Sequence, residues 1–125
     1  MAPNPSRLRF YADESALGVG KALTAARQDF IHAGHKLIPE VPLGSLDTEW
    51  MPRISERGLV VLARDKRIRT KPGERILLSE HGLRVFWIAG KRDLSTWDQL
   101  VRLVNRWSDI EEVLRDRGSG PWLAF

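Results

Sequence analysis

Leu59-Val60-Val61-Leu62-Ala63-Arg64-Asp65 decides the reading of this chain. Five apolar residues in a row, flanked by Gly58 and by charge, are too short for a buried helix. They have the length of a strand covered on both faces, the signature of a parallel sheet. An aspartate directly after such a strand stands at its carboxyl end. Working outward, Leu8-Arg9-Phe10-Tyr11-Ala12 repeats the pattern, a short apolar strand closed by Asp13-Glu14. Leu83 to Ala89 is a further strand rich in β-branched and aromatic residues.

Between the strands the period changes. Ala16 to Arg27 reads as a helix whose first turn Gly18 and Gly20 weaken or delay, and Asp29 to Ala33 as an edge strand. Gly34 to Gly44, with Pro39 and Pro42, reads as a surface loop. Asp47 to Arg57 reads as a helix ended by Gly58; Pro52 favours a start nearer Met51, which would leave Asp47 in the preceding turn. Pro72 to Glu80 is a short helix stopped by His81-Gly82. Ser95 and Asp98 open a last helix along which Leu100, Leu103, Trp107, Ile110 and Leu114 repeat, before Gly118 and Gly120 and a final strand over Trp122 to Phe125.

This alternation predicts one domain over residues 1–125: a three-layer α/β/α sandwich with a mostly parallel central sheet. In such sheets sites form beyond the carboxyl ends of the strands. Asp13 and Asp65 fall there, and Asp47 precedes the helix leading into the Asp65 strand. The chain has 125 residues, 42% of them hydrophobic, and no cysteine, so disulfides and thiolate ligands are excluded. Oxygen ligands alone favour Mg2+ or Mn2+. The first residues carry neither a secretory core nor a membrane span, so a cytoplasmic location with no membrane partner is expected. The formal charge is +4, concentrated in Arg64, Lys66, Arg67, Arg69 and Lys71, which suits a polyanion.

Phe10-Tyr11-Ala12-Asp13-Glu14-Ser15, Asp47-Thr48-Glu49-Trp50 and the stretch from Gly58 through Asp65-Lys66-Arg67-Ile68 resemble the PIN-like nuclease superfamily, in particular its short VapC-type toxin relatives. The first stretch looks like the family's opening strand and aspartate. The others look like its late pair of aspartates, the last in a Thr-x-Asp-x-x-Phe type motif. Here Ala63 replaces the threonine and Ile68 the aromatic residue, and Glu14, Glu40 and Glu49 compete for the place of the central glutamate.

The resemblance implies a magnesium-dependent ribonuclease, possible toxin of a type II toxin–antitoxin pair. Asp13, Asp47 and Asp65 would be metal ligands and catalytic residues, joined by Glu14 or Glu49. Arg64, Lys66, Arg67, Arg69 and Lys71 would bind RNA, and a cognate antitoxin protein and a second copy of the chain are the expected further partners. Blander readings stand beside these. Asp47 can cap a helix, Asp65 can open a turn, and the basic run can be a solvated face. The histidines take no role, and the tryptophans read as core or contact residues, Trp97 and Trp107 being accounted for by the helical spacing. Gly18-Val19-Gly20-Lys21 lacks the Ser or Thr of a phosphate-binding loop and the third glycine of a dinucleotide fingerprint. Two other functions fit the same residues: a non-catalytic PIN-like binding module, and a receiver-like phosphoacceptor domain in which Asp13-Glu14, Asp65 and Lys91 are the acidic pair, acceptor and lysine.

Overall fold

A computed structural model describes residues 3–64, 71–91 and 93–124. After a 3-10 turn at Pro5–Arg7 the order is β1 (Phe10–Ala12), a second 3-10 turn (Glu14–Ala16), α1 (Leu17–Ala26), β2 (Phe30–His32), α2 (Asp47–Arg57) and β3 (Val60–Ala63). Then come α3 (Pro72–Glu80), β4 (Arg84–Trp87), α4 (Thr96–Asn105), α5 (Trp107–Arg117) and β5 (Trp122–Ala124). The strands join one sheet in the order β2-β1-β3-β4-β5, with every neighbouring pair parallel. This is the three-layer α/β/α architecture expected from the alternation. No helix among the described residues is long and apolar enough to cross a membrane.

The two-residue period of the strands sorts the core into two layers. Tyr11, Ile31, Val61, Ala63 and Val85 face one side, against Met51 and Ile54 of α2 and Leu78 of α3. Phe10, Ala12, Phe30, Val60, Leu62 and Phe86 face the other, against Val19 and Leu23 of α1, Leu103 of α4 and Ile110 of α5. Both faces of the sheet are covered, which is why the strands read as unbroken apolar runs.

Five details differ from the sequence reading. Gly18 and Gly20 lie within α1, and what they permit is close approach: a Cβ on Gly20 would stand 2.5 Å from the Ala12 Cβ, and one on Gly18 2.6 Å from Thr96 Oγ1. The segment from Gly34 to Gly44 is not wholly surface, because Ile38 and Val41 are fully buried under the sheet. The α2 helix starts at Asp47 and carries Pro52 in its interior. The long last helix is two helices, parted at Arg106. Its apolar spacing runs unbroken across the joint because Trp107 still packs inward, 5.1 Å from the Phe10 ring. Trp97 does not follow that pattern: it is 70% exposed.

Candidate metal centre

The parallel register brings the strand ends level. Ala12 pairs with His32 and with Leu62, and Ala63 with Trp87. Backbone bonds from Asp13 N–H to Leu62 O (3.1 Å) and from Ile88 N–H to Ala63 O (2.9 Å) close the same edge. Helix α2 runs back beneath the sheet toward β3, so its first residue, Asp47, returns to that edge. A cavity of about 310 Å³ opens there, lined by Tyr11, Asp13, Glu14, Ser15, Pro42, Ser45, Asp47 and Trp50.

Asp13 is buried at 6% exposure, and its Oδ1 accepts from the Ser15 N–H (3.0 Å) and the Ser15 Oγ–H (2.5 Å). It therefore also caps the Glu14–Ala16 turn. Asp47 is not the cap of α2: Leu46 holds that place, and Asp47 Oδ1 accepts the Trp50 indole N–H at 2.8 Å. Trp50 in turn lies 5.6 Å from the Tyr11 ring. Glu14 Oε1 accepts the N–H of Gly44, whose φ of +84° suits glycine, and so holds the loop beside the cavity. Glu49 does not line the cavity; its Oε1 takes the Leu46 N–H at 2.9 Å, the part of a capping box that a leucine cap allows.

The Tyr11 hydroxyl reports how these charges converge. Burial, followed by the charges of Asp13, Glu14 and Asp47, pushes the phenol well above its ordinary value. The three carboxylates come from the residue after β1, the turn that follows and the start of α2, and all line the same cavity.

Of the basic run, Arg64 and Lys71 are described, whereas Asp65, Lys66, Arg67 and Arg69 lie outside the described residues. Lys71 is exposed. The Arg64 N–H donates to Ser15 Oγ (2.8 Å), and its Nη2 donates to the Lys91 carbonyl (2.8 Å). Its Nη1 is buried with no acceptor among the described residues. Sequence reasoning missed Tyr11, Ser15, Ser45 and Trp50 as cavity residues. The available signal was position, since Tyr11 and Ser15 stand two residues either side of Asp13, and Trp50 lies one helical turn from Asp47.

A family model described as PIN like domain matches residues 8–90, about two thirds of the chain, and spans β1 through the end of β4. The chain belongs to the PIN-like domain family. No curated protein and no solved structure matches it. PIN-like domains are in general nucleases and usually use divalent metal ions.

The donor set here fits such an ion. Among the described residues no three His, Cys, Asp or Glu side chains form a group that could hold a metal. Mg2+ does not need one: it is held by one or two carboxylates, waters and substrate phosphate, and Asp13 and Asp47 share a cavity with Glu14 at its rim. The sheet order is also that of doubly wound domains such as receivers, so topology alone does not separate the two. The family match does, and Lys91 follows β4, with its backbone carbonyl engaged by Arg64.

Proposed function

We propose that this PIN-like chain is a metal-dependent endoribonuclease, acting as a single domain over residues 1–125, with Asp13, Asp47 and Asp65 as the acidic residues of its site. The observation that carries the reading is that Asp13, Glu14 and Asp47 line one cavity at the carboxyl edge, beside the buried Tyr11. Carboxylates gathered on one cavity repel one another, and a bound cation relieves that repulsion. A bound Mg2+ or Mn2+ would supply an activated water and neutralise charge on the phosphate.

The chain's own residues do the rest. Asp13 and Asp47 present oxygens at fixed positions, because Ser15 holds the first and the Trp50 indole the second. Glu14 gives one oxygen to the Gly44 N–H and is the exposed member of the three. Arg64 and Lys71, with Lys66, Arg67 and Arg69, would contact the RNA backbone independently of sequence. A toxin role with an antitoxin covering the acidic cavity, and a cytoplasmic setting, belong to the same proposal.

The experiment is cleavage of single-stranded RNA with Mg2+ and with EDTA, for wild type and Asp13→Asn. Asparagine keeps the cap on the Glu14–Ala16 turn and removes the charge. Cleavage should require the metal and fall in the variant by more than the roughly 10- to 100-fold that changes to groups supporting metal ligands cost. RNA binding without cleavage would make the chain the non-catalytic module. Replacing Arg67 and Arg69 by alanine should flatten the salt dependence of RNA binding, and an unchanged slope would assign the run to solvated surface.

A further inference from the structure

The junction between β1 and β3 shows an irregularity. In a parallel ladder, Asp13 N–H bonds to Leu62 O, as observed, and Arg64 N–H should then bond to Asp13 O. That second bond is not made; the Asp13 carbonyl accepts the Ala16 N–H at 3.1 Å, closing the 3-10 turn. The acceptor that replaces it is the Ser15 Oγ, 2.8 Å from the Arg64 nitrogen, across 49 residues of sequence. The same hydroxyl passes its own proton to Asp13 Oδ1 at 2.5 Å. One side chain therefore continues the ladder past the point where the backbone leaves it.

We infer that Ser15 is a positioning residue of the metal site, clamping the Asp13 carboxylate to the end of β3 that leads into Asp65. The inference rests on the metal-site reading above and adds a residue to it. A turn cap alone would need no hydroxyl, since the Ser15 backbone N–H already bonds Asp13 Oδ1 at 3.0 Å. What the hydroxyl adds is the bond across the strands, at a place where Ala63 offers only a methyl group. Arg64, whose N–H it holds, is the last residue before Asp65 and sends its guanidinium on to the Lys91 carbonyl. Ser15 thus ties together the exits of β1 and β3, and through Arg64 the chain leaving β4. Mg2+ tolerates little error in ligand placement, so the spacing of two strand ends matters more to it than to the fold.

The test compares Ser15→Ala, Ser15→Thr and Ser15→Val with wild type and Asp13→Asn. Mn2+ affinity is read by calorimetry, the Arg64 amide by hydrogen exchange, and RNA cleavage as separate kcat and KM. Threonine and valine have the same shape and differ in the hydroxyl. Ser15→Ala and Ser15→Val should bind Mn2+ about 10- to 100-fold more weakly, the usual cost of losing a group that orients a metal ligand. They should also exchange the Arg64 amide faster and lose kcat with KM unchanged; Ser15→Thr should behave as wild type in all four. Should Ser15→Ala and Ser15→Val bind Mn2+ like wild type while Asp13→Asn does not, the clamp is refuted and the metal site stands. Valine and threonine giving the same loss would also refute it, since the hydroxyl would then be irrelevant. A wild type that binds no Mn2+ overturns the site reading itself, and the clamp with it.

Discussion

The two edges of the sheet carry charge in opposite ways. At the amino edge Arg9 meets Asp29 at 3.3 Å and Glu111 at 2.5 Å, and Arg27 meets Asp29 through two bonds of 2.7 and 2.9 Å while lying over the Trp107 ring. A cavity of about 720 Å³ opens there, more than twice the volume of the one at the carboxyl edge. Its charges answer one another. Burial alone would raise the Asp29 carboxyl, but the hydrogen bonds and charge of Arg27, helped by Arg9, hold it below its ordinary range. The hydrogen bond from Arg9 likewise lowers Glu111. At the carboxyl edge Asp13, Glu14 and Asp47 share the smaller cavity, and no lysine or arginine stands among its described lining residues. The contrast teaches that volume does not mark the site. Ion-paired charge is architecture, and carboxylates gathered on one cavity are where a ligand is called for.

The largest effect should separate the two edges outright. Asp13→Asn and Asp47→Asn should each abolish metal-dependent cleavage, whereas Asp29→Asn should leave kcat intact. A loss of cleavage in Asp29→Asn, with the protein folded, would dissolve the distinction. Stability should respond the other way round. Asp29→Ala removes the shared acceptor of two guanidinium groups and should cost about 1–3 kcal/mol, read from denaturant melts.

Acid should act through the same residues. Asp29 and Glu111 have folded values below their unfolded ones, so the stability they contribute is present above about pH 4 and is lost as pH falls through the folded values. Melting midpoints from pH 5 down to about pH 2 should therefore drop, and Arg27→Ala should shallow the drop. An equal slope in that variant would mean the loss arises elsewhere. The smallest effect concerns the two glutamates. Glu14→Gln should weaken Mn2+ binding, while Glu49→Gln, which keeps an acceptor for the Leu46 N–H, should leave affinity unchanged and stability within about 0.5 kcal/mol.

Much of this architecture was legible because its signals are local. The apolar runs ending at Ala12 and Ala63 mark strands buried on both faces, and Pro72 and the Gly58 end mark helix limits that the structure reproduces. The joint at Arg106 was not legible: a single non-helical residue leaves the spacing of Leu103, Trp107 and Ile110 undisturbed. Burial of Ile38 and Val41 was hidden by the prolines and glycines around them, which signal turns but not what the turns cover. Trp97 fits a helical stripe by spacing and yet faces solvent, because period alone cannot say which stripe meets the sheet. Strand and helix ends pointed to Asp13 and Asp47, which line one cavity. The roles of Tyr11, Ser15 and Trp50 needed distances, since each acts through a bond or charge to a residue remote in space or chemistry.

Thermal melting with and without Mg2+, for wild type and Asp13→Asn, tests the central claim most directly. At a concentration one hundred times Kd, a cation bound to the folded state adds about 2.7 kcal/mol. For a chain of this size that is a rise in Tm on the order of 10 °C. Wild type should show the rise and Asp13→Asn should not, with a metal-free midpoint at or above that of wild type because one repelling charge is gone. A wild type indifferent to Mg2+, or an Asp13→Asn variant that gains as much from it, would contradict the account.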